Sequence, residues 1–509
     1  MAARPLAPGV FVTERPSGVR TIAGAGTSTP AFLGYTVGGP EASTPPTPVG
    51  SWSEFVDKFH FRSPMGPEEL ARELERLAEV IEDAEAELEE REEALRQKST
   101  TGEHPPVTEQ EFAKLVEVQT ADWAGESVSA SDRQAAEAAA AKVKPAFPDE
   151  YQLWIAAGEK EASLRHRQSE LVFLKQCFDE ARGVSLHEAV YGFFANGGSS
   201  CYILRLDPTK DLAGEVGGNP DKRTGLAGLK SVPDVTMVAV PDLWSRGTAP
   251  DVGATILGKV VGHCAEMRNR LTLCEPPPDT APADVPQFLT RLASPDSDDA
   301  AFTALYYPWV EVPGVDGAQR SVPPSGHLAG VWARTDAERG VFKAPANQNL
   351  RGVLALPVRL TDQRHGELND KGVNCLRVFP ERGLLVWGAR TRSGSRDWRY
   401  LNVRRLVSFL SDSIRQSSTW AVFEPNDDRL WAALRHSVVS FLTDQWRQGA
   451  LLGRTPDEAF YVICDRTNNL PETIDAGQVI CDIGVAPVRP AEFVHFTITQ
   501  TAGQPGQGS

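Results

Sequence analysis

Between residues 66 and 182 the apolar positions keep a helical rhythm. Leu70, Leu74, Leu77, Ile81, Ala84, Leu88 and Leu95 follow a 4-3-4-3-4-7 spacing. That is the seam of a heptad pattern, broken where Arg91 takes a seam position. The outward positions are mostly Glu and Arg. Leu164, Leu171, Leu174 and Phe178 share a face and predict a second helix over about 150–180. A Pro-containing turn near 105 and an Ala-rich stretch at 135–141 lie between them. The expected arrangement is a helical hairpin or small bundle inserted into a loop. With only about three heptads, an antiparallel pair within one chain fits better than an intermolecular coiled coil.

Outside this segment the pattern is α/β. Ala31–Tyr35 reads as a strand, and residues 51–59 as a short helix capped by Ser51 or Ser53. Leu186–Phe194 has helical period and ends at Asn196-Gly197-Gly198. Strands are expected at 201–206, 235–242 and 271–274, with a helix at 252–270. This strand–helix–strand order implies a parallel or mixed sheet flanked by helices. Farther on, strands fit 374–379, 384–388, 419–424, 459–464 and 478–485. One helix carries Val403, Leu406, Val407, Leu410 and Ile414. Another carries Leu430, Leu434, Val438, Phe441 and Leu442. The expected fold class is therefore α/β (α+β mixed) and multidomain, with mixed β-sheets flanked by helices, extended N- and C-terminal arms and an inserted acidic helical unit.

Charge sharpens that division. The chain of 509 residues carries a formal net charge of −16. Residues 63–182 hold 28 acidic and 14 basic side chains, so nearly all of the excess lies there. One segment is strongly solvated, and the nearly neutral remainder can pack against copies of itself. The acidic balance argues against nucleic acid as a partner. Neither a membrane-spanning apolar run nor a secretory signal is read from the sequence. Assembly in the cytoplasm is the expectation. The seven cysteines are widely spaced and odd in number, without CxxC, so neither a disulfide framework nor a zinc site is expected.

Enzyme chemistry has little to stand on. GxxxxGK[ST], HExxH and GxSxG are all absent. Ser325 and His327 lie two residues apart in a Pro/Gly turn, which gives no triad geometry. His263 beside Cys264 reads as helix packing rather than a dyad. No catalytic residue, cofactor or metal is expected.

The two ends carry isolated strand patterns. Gly9-Val10-Phe11-Val12-Thr13-Glu14 sits in a Pro/Gly/Ser/Thr-rich arm, and Glu492-Phe493-Val494-His495-Phe496-Thr497-Ile498 near the other end. A strand needs a neighbour for its hydrogen bonds. If that neighbour is another copy, subunits are stitched by strand addition, and non-closing contacts of this kind build helical filaments. Pairing within the subunit is equally open on composition alone.

A set of ordered blocks resembles the contractile phage-tail sheath family. These are Pro8–Glu14, Leu186–Val190 with Phe193–Gly198, Cys201–Arg205, Tyr306–Val310, Val322–Asp336 and Gly340–Asn347. Denser blocks follow: Arg382-Gly383, Val386–Thr391, Asn402–Arg405, Phe423–Asp427, Gly449–Gly453 and Pro490–Phe493. The resemblance covers about three-quarters of the chain. It implies a subunit of a phage tail, R-type pyocin or extracellular contractile injection system. Such subunits stack as six-fold rings around an inner tube, linked by their arms, and shorten by rigid-body rearrangement without nucleotide. It implies self-association, an inner tube protein, and baseplate and terminal cap proteins as partners, with no direct membrane insertion. Particles of this kind are released by lysis.

On this basis residues 1–30 are expected to form an N-terminal linker arm, and 31–62 with 183–345 the sheath body. Residues 63–182 form the outward-facing insertion, 346–489 the tube-facing C-terminal domain and 490–509 the C-terminal arm. Arg404, Arg405, Arg435 and Arg447 are candidates for contact with an acidic tube surface. The alternatives are another baseplate or terminator protein and, remotely, a hydrolase at Ser325 and His327.

Overall fold

The computed structural model describes residues 21–36, 40, 44–59, 67–101, 105–125, 127–179, 184–245, 247–313 and 319–493. The principal strands are β1 (Pro30–Gly34), β2 (Thr47–Val49), β3 (Cys201–Arg205), β4 (Met237–Ala239), β5 (Leu271–Cys274) and β6 (Thr303–Tyr307). They continue with β7 (Val310–Pro313), β8 (Gln319–Val322), β9 (Gln348–Asn349), β10 (Val373–Phe379), β11 (Gly383–Trp387), β12 (Phe460–Ile463) and β13 (Asp482–Val485).

Nine of these strands join one sheet in the order β2-β3-β1-β4-β5-β6-β10-β11-β9. Its centre is parallel, from β3 through β1, β4, β5 and β6 to β10. Antiparallel strands close both sides. The parallel strands are uninterrupted apolar runs because helices cover them. β1, β5 and β6 are buried at every position. The boundary expected at 345–346 falls inside this sheet, since β9, β10 and β11 extend it.

The main helices are α1 (Trp52–Lys58), α2 (Pro67–Thr100), α3 (Glu109–Ala124), α4 (Ala130–Ala146), α5 (Pro148–Asp179) and α6 (Leu186–Ala195). After them come α7 (Pro250–Met267), α8 (Ser325–Arg339), α9 (Asp362–Asp370), α10 (Leu401–Ser417) and α11 (Asp428–Arg447). Ser51 caps α1, its hydroxyl accepting the Glu54 N–H at 3.1 Å. Close backbone approach joins α6 to α8. A Cβ on Gly326 would meet Ala189 Cα at 2.3 Å, and one on Gly330 would meet the Phe193 carbonyl oxygen at 2.4 Å.

The acidic segment folds as two long helices, α2 and α5, lying side by side, with α3 and α4 between them in sequence. The Ala-rich stretch is part of helix α4. Its apolar side chains Ala136, Ala139 and Val143 pack with Phe112, Leu115, Tyr151 and Trp154 in a core separate from the sheet. At the other end of the helices Leu77, Ile81 and Leu171 belong to the sheet's own core. There Glu170 pairs with Arg205 of β3 at 2.7 Å, and both are buried.

A third core lies where α10 and α11 meet the β12–β13 hairpin, through Leu406, Leu410, Val438, Phe441, Leu442 and Phe460. The strand expected at 419–424 is not formed. Thr419–Ala421 is a short 3-10 turn and Phe423 adopts φ +67°. Asp427 caps α11 by accepting the N–H groups of Arg429 and Leu430, so the chain must turn sharply just before it.

Candidate assembly site

Helix α10 roots both ends of the described chain. Residues 21–29 run across it before entering β1. Ile22 packs into the core beneath it, and Gly24 lies against Phe409 with no room to spare for a side chain. The Ala25 N–H donates to Ser413 Oγ at 2.9 Å. Arg405 donates to the Thr27 carbonyl at 3.2 Å, and Ser28 Oγ donates to Asp336 at 3.2 Å.

The other end returns to the same helix. Asn402 Nδ2 donates to the Val488 carbonyl at 3.0 Å, and the Val488 N–H donates to the Ala450 carbonyl. Arg390, just ahead of α10, then grips Glu492 through both Nε and Nη2, at 3.0 and 2.5 Å. This charge-assisted fork raises the Arg390 pKa above its ordinary value. A cleft of about 370 Å3 opens beside it, lined by Arg390, Arg392, Arg399 and Lys371 among others.

Two of the four candidate tube-facing arginines are internal. Arg405 forms a 2.5 Å ion pair with Asp336 and lies over the Trp332 ring at 4.6 Å. Arg404 is packed between the Trp398 ring at 4.2 Å and the Phe302 ring at 4.8 Å. Burial, with Arg268 nearby, depresses its pKa to about 10. Their helix is covered on the sheet side, which a periodicity reading of a C-terminal helix does not reveal. Both are buried within this chain. Arg435 and Arg447 are exposed, Arg447 with only an i,i+3 partner in Asp444 at 3.4 Å.

The strand segments of the arms are divided. Gly9, Val10, Phe11, Val12, Thr13 and Glu14 lie outside the described residues, as do Val494, His495, Phe496, Thr497 and Ile498. Glu492, expected among the inter-subunit contacts, closes on Arg390 of its own chain, while Phe493 is exposed. The anchoring roles of Asn402, Ser413, Asp336 and Arg390 were not read from sequence. The signal was there, since Val322–Asp336, Val386–Thr391 and Asn402–Arg405 are family-like blocks.

Those blocks are structural staples. Arg334 donates to the Asn196 and Asn349 carbonyls, and Asn196 exchanges hydrogen bonds with Arg351. They tie the end of α6 to the strand at the sheet edge. Ser325 is buried near Glu275, whose carboxyl burial pushes up to about 8. His327 is equally enclosed, and burial holds its pKa down at about 4. Both side chains are buried, and His327 lies at the wall of a cleft shared with Trp52, Glu188 and Tyr191. Among the described residues no cluster of His, Cys, Asp and Glu could hold a metal, and no helix is long and apolar enough to cross a membrane.

The fold and its roots define an α/β subunit with an inserted helical unit and both chain ends leaving from one helix. The phage tail sheath protein central domain matches residues 218–392, and the phage tail sheath C-terminal domain matches 393–501. Together they span more than half of the chain, which belongs to the phage tail sheath family.

Similar proteins include the tail sheath protein of Vibrio phage KVP40, 28% identical over 187 residues, 36% of this chain and 27% of that protein. That of Burkholderia phage BcepMu is 27% identical over 313 residues, 57% of this chain and 62% of that protein. The chain thus matches less than two thirds of the length of these curated relatives. Among solved structures, the anti-feeding prophage helical sheath in its contracted state is 26% identical with a TM-score of 0.59. It covers 98% of this chain and 100% of that one. The PVC sheath complex of an extracellular contractile injection system, also contracted, shares the fold at 22% identity and the same TM-score.

Proposed function

We propose that this chain is the structural subunit of a contractile sheath. It polymerises as stacked hexameric rings in a helical array around an inner tube. It then contracts by rigid-body rearrangement and drives the tube through a target envelope. The observation that supports this most is the pair of arm roots on α10. Residues 21–29 cross this helix, and the C-terminal segment touches it at Asn402 before Arg390 holds Glu492, so a pull on either arm is transmitted to the body. The match to the contracted anti-feeding prophage sheath, which covers 98% of this chain at 26% identity, points the same way.

In this reading residues 9–14 and 493–498 add as strands to sheets of neighbouring copies, while Glu492 fixes where the C-terminal arm departs. Exposed apolar side chains in the C-terminal part, among them Phe423, Leu452, Tyr461 and Phe493, offer surface for those neighbours. The acidic α2–α5 unit faces outward, hydrated and repelling its copies. Arg435 and Arg447 remain the candidates for an acidic tube. Baseplate and terminal cap proteins are the further partners. Assembly takes place in the cytoplasm, within a phage tail or tail-like particle. The energy comes from better subunit contacts in the shorter lattice, so the chain needs neither catalysis nor a cofactor.

A second reading, a baseplate or terminator ring, has the anti-feeding prophage baseplate structure in its favour, at 26% identity and a TM-score of 0.59. Electron microscopy of the chain co-expressed with its tube protein separates the two. Long tubes are expected, and their loss on removing residues 1–15 or 490–509 from a soluble, folded protein. Single rings in the intact chain, or normal tubes from either truncation, would count against the sheath reading.

A further inference from the structure

Cys464 and Cys481 stand seventeen positions apart in sequence and side by side in the fold. Strands β12 and β13 pair antiparallel with Ile463 opposite Asp482, so the next pair outward is Cys464 opposite Cys481. The Ala486 N–H donates to the Ala459 carbonyl at the other end of this ladder. Counting in alternation from that bond, the cysteines fall at a non-hydrogen-bonded position, where paired Cα atoms approach to about 4.5 Å. Disulfides need Cα separations of about 4.4–6.8 Å.

Both side chains lie on the inner face of the hairpin. Cys464 is buried against Leu430, Trp431 and Leu434, and Cys481, half-buried, packs on the same cluster. The two thiols are close enough for each to shift the other's titration. Cys201, Cys264, Cys274 and Cys375 are all buried.

We propose that Cys464 and Cys481 form an oxidation site, converted by a low-molecular-weight disulfide into a cross-strand bond that locks the β12–β13 hairpin. Cys481 attacks first, because it is the more accessible. Its sulfur displaces one thiolate from the reagent and leaves a mixed disulfide. Cys464 then attacks the Cys481 sulfur, expelling the second thiolate. Each protein thiol gives up its proton to a departing thiolate. Two protein thiols are oxidised, and one reagent disulfide is reduced to two thiols. The bond would staple the hairpin that leads, through Val488 on Asn402, to the root of the C-terminal arm.

The test uses the full-length folded protein and oxidised glutathione. Remaining thiols are then blocked with N-ethylmaleimide, and the protein is digested by trypsin without reductant. Cleavage after Arg466 puts the two cysteines in separate peptides unless they are bonded. The expected product is that peptide pair joined, lighter than the sum by two hydrogen atoms and separated again by reductant. Label should be lost from both cysteines together. Both cysteines carrying label after oxidation, or a lasting glutathione adduct on Cys481, overturns the proposal. A Cys481→Ser variant is expected to lose the joined pair. If that variant does not fold, the wild-type peptide map decides alone.

Discussion

The sheet body and the inserted helices manage charge in opposite ways. In α2–α5 the ionic side chains stay in water and meet across the helix surfaces: Lys160 with Glu87, Arg165 with Glu85, Lys142 with Glu111. Exposed pairs of this kind contribute little to stability. What holds the far end together is a small aromatic core with Trp154 at its centre. The body instead buries its charges and completes them with partners, as in Arg405 with Asp336 or Arg205 with Glu170. Buried pairs are costly to break, because the survivor is left without a counter-ion. The contrast teaches that the insertion is two things. Its far end is a self-contained unit, whereas its base, through Leu77, Ile81, Leu171 and Glu170, is part of the body. Excising residues 66–182 whole would therefore strip Arg205 of its carboxylate. A cut that leaves the base in place is the cleaner way to remove the decoration.

The largest effect is expected where the body cannot yield. Gly330→Leu drives a side chain into the Phe193 carbonyl and the Asn196 Cβ, 2.4 and 2.7 Å from the first added carbon. Backbone on both helices must move, at a cost of about 5 kcal/mol, in the extreme tail for single substitutions. Thermal melting should show the sheet body losing its cooperative transition. A variant that melts with the wild type would mean that α6 and α8 are not rigidly seated on each other.

The next effect is large but confined. Trp154 is fully buried, edge-on to Trp123 at 5.4 Å, and Trp123 in turn lies over Gly158. Trp154→Ala should cost about 3–5 kcal/mol, all of it in the far end of the insertion. Hydrogen exchange is expected to rise in α3, α4 and the facing part of α5, with β1 and β6 still protected. Loss of protection in both regions together would erase the distinction between decoration and body.

Much of this was legible in the sequence, for definite reasons. Runs such as Ala31–Tyr35 and Cys201–Leu206 were readable because parallel strands buried on both faces need no alternation. The heptad seam announced α2 because its partner α5 packs along one stripe. Period alone cannot say what covers a helix. Arg404 and Arg405 looked like surface cations, yet Trp398, Phe302, Trp332 and Asp336 arrive from distant positions to enclose them. The Val422–Phe423 pair resembled a strand, but the cap requirement at Asp427 turned it outward. The meeting of Cys464 with Cys481 was equally hidden, being a property of register rather than of spacing.

The effect that is smallest in acid sits on Glu275, and it separates the two regions by titration. Its carboxyl is buried, and burial lifts its pKa from 4.5 to about 8. A carboxyl raised in this way favours the folded state fully below its unfolded pKa. That contribution is then lost as pH rises through the folded value. Between about 4.5 and about 8 the unfolded chain gives up this proton while the folded chain keeps it, so the wild type loses stability across that window and a glutamine at 275 does not. The advantage of Glu275→Gln should therefore widen from about pH 4.5 to about 8 and level off above that. Only the sheet body should register it, because the insertion's ion pairs are exposed and lie outside this core. Melting curves taken across that range, with exchange in α3 and α4 followed in parallel, would test both halves of the statement. A constant difference at every pH would mean that Glu275 is ionised in the folded protein and that water reaches it.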